Sequence, residues 1–307
     1  MVSAALDSAL DLAPLDAAVD AAIGAGEAGG LRVLGFGEIT LVLGWPTDEP
    51  AIAVKRLPVF GERAQVETYA RLVAEYLAVL CERGVGVVDT EVRSLAAPDG
   101  FHVYLLQPLV PRERVLSVAL ASAPPARAEA LLERLVDAVC AAVDAGVGLD
   151  AQAGNWAVDG DRLALFDVST PLLRSPEGRD RLDMSLFVSI YPSALRPLLR
   201  RVAHQIAGPY HVPRSVLLDV ASNLHKERLD RCVPMLLAVA NGRVDPPIDH
   251  AEVLRYFRQD RALWLALQRL RRADRAWQRT VRHRPYPFLL APRYRYGPMT
   301  PPRETPP

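Results

Sequence analysis

Lysine is almost absent from this chain. Of its 36 basic residues only Lys55 and Lys226 are lysine; the other 34 are arginine. The chain uses a guanidinium nearly wherever positive charge will do, so the two lysines mark candidate positions for a compact ammonium. Cysteine is also scarce. Cys81, Cys140 and Cys232 are scattered and odd in number, which excludes a disulfide framework and leads us to expect reduced core residues in a cytoplasmic protein. No CxxC pair and no HExxH occurs, so a zinc site is not expected. Formal net charge is zero, which argues against nucleic acid or another bulk polyanion as partner. The apolar runs are too short to cross a bilayer, and the acidic stretch "MVSAALDSALDLAPLDAAVD" lacks the basic start of a signal peptide. Half of the 307 residues are hydrophobic, enough for a globular core.

The pattern along the chain changes character near its middle. Residues 2–24 have helical periodicity interrupted at Pro14, and "GEAGG" closes them. "LRVLGFGEITLVLGW" has strand character on both sides of Gly35-Phe36-Gly37, and "PAIAVKRLPV" forms a third strand with Lys55 near its end. Val66, Tyr69, Leu72, Val73, Tyr76, Leu77 and Leu80 recur at helical spacing, with Gly84 as a stop. "TEVRSLAA", "PDG" and "FHVYLLQPL" read as a hairpin, "VPRER" as a connector, and "PPARAEALLERLVDAVCAAVDAG" as a helix opened by Pro and closed by Gly. After Thr170 the pattern is helical to about residue 284, with breaks near Pro209–Pro213 and Asn241–Pro247. A Pro-rich end follows. The expected units are a helical extension (1–30), a β-rich part with one long helix (31–111), a mostly helical part (112–296) and a disordered tail (297–307).

"GLDAQAGNWAVDGDRLALFDV", Gly148 to Val168, carries the chemistry. "NWAV" and "RLALF" flank a Gly-bearing turn and form a hairpin. Asn155 then falls opposite Phe166, and Asn155 and Asp167 emerge at the same end. Asp150 lies on the loop leading in. Carboxylate and amide oxygens gathered at one point suit Mg²⁺, which is held by one or two carboxylates plus substrate phosphates. The plainer reading makes Asp159 and Asp161 turn residues and Asp150 a loop residue; it leaves unexplained Asp167, which sits between apolar neighbours.

"GFGEIT" does not make a dinucleotide fingerprint, because Thr40 stands at the third glycine and a strand follows. No GxxxxGK[ST] occurs. Two glycines remain at a strand corner, where backbone N–H groups come close to phosphates. The order is Gly35 and Gly37, then "AIAVK", a helix with internal glutamates, a hairpin and connector, a helix, Asp150-x-x-x-x-Asn155, and a hairpin ending in Asp167. In that order the chain resembles the protein-kinase-like fold, and within it the aminoglycoside/choline phosphotransferase branch, over roughly residues 31–170.

The resemblance implies an α+β, two-lobed architecture: a small β-rich N-lobe with one long helix, and a larger, mostly helical C-lobe. It implies ATP and Mg²⁺ as cofactors. Lys55 would meet the ATP phosphates, and Glu75, nine residues before Gly84 as the helix glutamate stands in small-molecule kinases, would hold Lys55, with Glu67 two turns earlier as rival. Asp150 would be the base at the acceptor hydroxyl, and Asn155 and Asp167 would hold the metal. Backbone groups of Leu106 to Pro111 would face adenine. The implied activity is phosphoryl transfer to a hydroxyl of a small molecule or of Ser/Thr in a modified peptide; the alternative is a non-catalytic kinase-like regulatory module. Gly148 where the family has His, Gln152 where protein kinases have Lys, and Val168 after Asp167 weaken a Ser/Thr protein kinase reading most. The remaining features read as structural. Trp156, Trp264 and Trp277 suit core or helix contacts, and His204, His211 and His225 lack metal spacing. The Arg-rich segment Arg255–Arg295 reads as a solvated helix face or the seat of an acidic partner.

Overall fold

The computed structural model describes residues 10–36, 41–189, 191–192, 195–197, 199, 207–284 and 286–290. Gly37, His204, the first nine residues and the Pro-rich tail lie outside them. The described chain is α+β: a β-rich first third around one antiparallel sheet, then a helical remainder.

Strands β1 (Arg32–Phe36), β2 (Leu41–Trp45), β3 (Ile52–Arg56), β5 (Glu91–Ala97) and β6 (Gly100–Pro108) form the five-stranded sheet in the order β1-β2-β3-β6-β5. Gly35, Val42, Lys55, Leu105 and Val92 pair in one row across it. Directly paired residues share a face and neighbours along a strand alternate, so Lys55 and Val54 point to opposite sides. On the Val54 side lies α1 (Ala13–Ala25), whose Leu15 and Val19 pack with Leu41, Leu43, Tyr104 and Leu106. Pro14 does not interrupt this helix. It stands in the first turn, where its missing N–H has no helical partner to lose. Asp16 of α1 accepts hydrogen bonds from the Tyr104 hydroxyl (2.5 Å) and faces His102 Nδ1 (2.8 Å), which fixes the helix on the sheet.

The Lys55 side belongs to α2 (Arg63–Glu82). The Gln65 side chain starts this helix by accepting the free N–H of Glu62 at 3.2 Å. Its apolar face (Tyr69, Leu72, Val73, Tyr76, Leu80) joins Val103 and Leu105 of the sheet to a core that continues through the helical part. That part holds α3 (Leu116–Ser122), α4 (Pro125–Ala142), α5 (Met184–Val188), α6 (Pro213–Lys226), α7 (Cys232–Ala240) and α8 (His250–Thr280). Helix α4 starts at proline as expected. It ends without a left-handed glycine: the Asp144 carboxylate instead accepts the N–H groups of Gly146 and Val147, both at 2.8 Å.

Several expectations need correction. Residues 171–182 are not helical; they fold back through a turn at residues 176–178, with bridges Val147↔Leu173 and Arg174↔Asp180. Two short elements went unread, α3 and β4 (Gly86–Val87), both below the length at which periodicity shows. Of the three cysteines only Cys232 is buried; Cys81 is exposed, and all are free. Trp156 is fully buried, but Trp277 is 55 % exposed. Among the described residues no helix is long and apolar enough to cross a membrane.

Candidate functional site

Strands β7 (Trp156–Asp159) and β8 (Arg162–Leu165) form the expected hairpin. Asp159 pairs with Arg162 across a turn in which Gly160 has φ +57°, a conformation glycine takes without steric cost. Trp156 pairs with Leu165, and the Phe166 N–H donates to the Asn155 carbonyl at 2.9 Å. Asn155 and the Phe166–Asp167 exit therefore share one end of the hairpin. Strand β4 runs parallel to β8 and extends it to three strands.

That end meets β3. Lys55 Nζ lies 2.7 Å from Asp167 Oδ1, with the lysine 14 % and the aspartate 27 % exposed. Ser169 completes the group: its hydroxyl donates to the same Oδ1 at 2.7 Å, and Lys55 donates to the Ser169 oxygen at 3.2 Å. Burial pushes the Asp167 carboxyl up, but the Lys55 charge and the hydrogen bonds from Lys55 and Ser169 outweigh it and hold the group below the usual carboxylate value. A charged lysine and a charged aspartate thus stand 112 residues apart in sequence and in contact in space.

Asp150 and Asn155 belong to the loop before β7. The Asn155 amide donates to the Asp150 carbonyl at 3.3 Å and braces the loop. Tyr76 of α2 donates to the Gly148 carbonyl at 2.9 Å, and Tyr69, two helical turns earlier, donates to the Ser169 carbonyl at 2.8 Å. The Tyr76 phenol is pushed up by burial and then by the nearby charges of Asp150 and Asp167, so α2 stands close to both carboxylates. Gln107 of β6 donates to the Phe166 carbonyl at 2.6 Å and fixes the residue before Asp167.

Glu75 does not stand where it was expected. It pairs with Arg181 at 2.5 and 2.7 Å, on the exposed side of α2. Glu67 is exposed as well. The helix turns Tyr69, Leu72 and Tyr76 toward the site, and counting back from Gly84 could not set that rotation. The apolar stripe fixes it, because burying those side chains leaves both glutamates outside. The carboxylate beside Lys55 is Asp167. Gly35 lies in the same sheet row as Lys55; Gly37 is outside the described residues.

Sequence reasoning also missed Glu227, at the C-terminal cap of α6. Its carboxyl is pushed up to about 7 by burial, offset in part by a hydrogen bond from the Gly154 N–H and by the Lys226 charge. A Cβ on Gly154 would come within 2.9 Å of Glu227 Oε1, so the glycine lets the loop and the carboxyl meet. Tyr256 of α8 lies near Asp219, Asp260 and Asp150; burial and then these charges raise its phenol. Lys226, the second lysine, pairs with Asp260 at 2.5 Å. Its place is a helix–helix contact.

The arrangement is one ammonium, two carboxylates and an amide at the junction of a sheet, a hairpin and a helical body. Asp167 and Asn155 offer hard oxygen donors of the kind a divalent cation takes, and Lys55 offers charge for an anionic ligand. The class defined so far is an α+β chain with a polar site between its sheet and its helices. The chain belongs to the family of unknown function DUF6206, which it matches over residues 14–275. No curated protein matches it.

Proposed function

We propose that this chain is an ATP-dependent phosphotransferase of the protein-kinase-like fold, with a β-rich N-lobe (31–111) and a helical C-lobe (112–296). It transfers the γ-phosphate to a hydroxyl of a small molecule or of a peptide Ser/Thr. The observation that carries the reading is the Lys55–Asp167 contact at 2.7 Å, made at the end of the hairpin that also positions Asn155. Charge rather than apolar packing brings a lysine of the third strand and an aspartate of the hairpin exit together, and a polyphosphate with its cation could use both.

Each residue then has a task. Lys55 places positive charge against the phosphates, in the same sheet row as Gly35. Asp167 and Asn155 would hold Mg²⁺, which neutralises phosphate charge when bound. Backbone groups of Leu106 to Pro111 receive the adenine. Asp150 accepts the acceptor's proton as the acceptor oxygen bonds to the γ-phosphorus and the bond to the β-phosphate oxygen breaks, leaving ADP. Phosphoryl transfer asks the protein for position and charge rather than covalent help. Tyr69, Tyr76 and Gln107 supply position by tying α2 and β6 to the two carboxylate segments.

The test is transfer of labelled γ-phosphate to a panel of hydroxyl-bearing metabolites and peptides. Asp150→Asn should keep nucleotide binding and lower transfer by roughly 10²–10⁴-fold. Full transfer by Asp150→Asn would remove this residue from the mechanism. One observation favours a second reading, a non-catalytic kinase-like module: neither Glu67 nor Glu75 faces Lys55. That reading predicts nucleotide binding with no transfer to any acceptor.

A further inference from the structure

Helix α8 is 31 residues long and buries one narrow face, at Val253, Phe257, Gln268 and Arg271. The opposite face should be polar in a helix that ends at solvent. Between residues 262 and 277 it is not. Leu263, Ala266, Leu270, Ala273 and Trp277 are all exposed, and the large ones are 60, 43 and 55 % exposed. Their spacing is 3, 4, 3 and 4 residues. That is the seam of a coiled coil, with large side chains at every first position and alanine at every fourth. Exposed alanine alone would reflect helix propensity; Leu263, Leu270 and Trp277 at intervals of seven suit a partner helix that repeats with the same period. The exposed arginines of this helix do not form an opposing acidic-partner surface here: within 262–277 the outward face carries only Arg269.

We propose that two copies of this chain associate through this face, with their α8 helices parallel and in register. The charges beside the seam select the partner and the direction. Arg269 precedes Leu270 on one flank, and Asp274 follows Ala273 on the other. In a parallel pair these flanks face each other at a separation of five residues, so Arg269 of each copy meets Asp274 of the other, twice by symmetry. An antiparallel pair centred on Leu270 sets Arg269 against Arg269. Alternation of large and small residues lets the two seams interlock. The length of the seam, about 24 Å of helix, is short for an interface, so the dimer forms in the micromolar range rather than below it. This inference does not depend on the phosphotransferase reading.

The test is sedimentation equilibrium of the full chain from about 1 to 200 µM, with circular dichroism as the folding control. The wild type should pass from monomer to dimer. Leu270→Glu, an exposed change that leaves the fold intact, should raise the dissociation constant at least about tenfold. Arg269→Glu should weaken association, and adding Asp274→Arg to it should restore association. Leu263→Cys in a Cys81→Ser background should form a disulfide-linked dimer on oxidation. A chain monomeric throughout, including one that has another protein as its partner at this face, overturns the proposal. So does a dimer indifferent to Leu270→Glu. Failure of the charge swap, or of the Leu263→Cys cross-link, overturns the parallel arrangement.

Discussion

Glu227→Gln isolates the electrostatics of the loop that carries Asp150. The carboxyl of Glu227 stands against the Gly154 backbone, and no described group hydrogen-bonds its Oε2. Burial raises its pKa from 4.5 to about 7. The sign is the reverse of a salt-bridged carboxylate. Between these values the folded state holds the proton and the unfolded state has released it, so rising pH favours unfolding. The contribution is fully present below 4.5 and lost as pH climbs through about 7. At about 1.4 kcal/mol per unit the loss is on the order of 3 kcal/mol. Glutamine keeps the shape and the acceptor for the Gly154 N–H but carries no charge. The assay is the difference in Tm between Glu227→Gln and wild type from pH 5 to 8. The variant should gain relative to wild type as pH rises, by roughly 5–10 °C in all for a chain of this size. Differencing cancels every group the two proteins share. A difference that stays flat, or one that moves in favour of wild type as pH rises, would refute the account of this buried carboxyl.

Other outcomes follow from the same geometry. Asp167→Asn removes the charge that Lys55 meets, and should cost about 1–3 kcal/mol in denaturant unfolding, since the pair is only partly exposed. Because Asp167 is held below its usual value, its stabilisation is present above the unfolded value of 3.8 and lost as pH falls below it; the variant should therefore lose less stability than wild type on acidification from pH 5 to 3. Tyr76→Phe removes one buried hydrogen bond to the Gly148 carbonyl and should cost about 1–2 kcal/mol, with any phosphoryl transfer falling more than nucleotide affinity. An unchanged Tm would show that Tyr76 does not hold the loop.

Much of the fold was legible because it is local. The hairpin follows from a glycine turn between two apolar runs, and Asn155 opposite Phe166 is a matter of counting from that turn. The α2 stripe likewise predicts the faces that Tyr69 and Tyr76 bury. What was not legible depends on the rotation of one element against another. Glu75 was placed by its distance from Gly84, but the apolar residues set which side of α2 turns inward, and Arg181 was free to take the glutamate outside. Glu227 is silent in sequence because only the fold sets the end of α6 beside Gly154. Trp277 read as a contact residue from its type, while its exposure depends on where the body of the protein ends along α8. The non-helical stretch 171–182 was hidden by apolar residues that bridge to Val147 rather than wind.

Calorimetric titration of the protein with ATP, with and without Mg²⁺, tests the proposed nucleotide site itself. One ATP should bind saturably per chain, and only with Mg²⁺. Lys55→Ala and Asp167→Asn should each weaken binding at least about tenfold, roughly the loss of one charge-assisted contact, and Asp150→Asn should leave it intact. Absence of binding at millimolar Mg²⁺–ATP, or binding that neither Lys55→Ala nor Asp167→Asn alters, would contradict the proposed site.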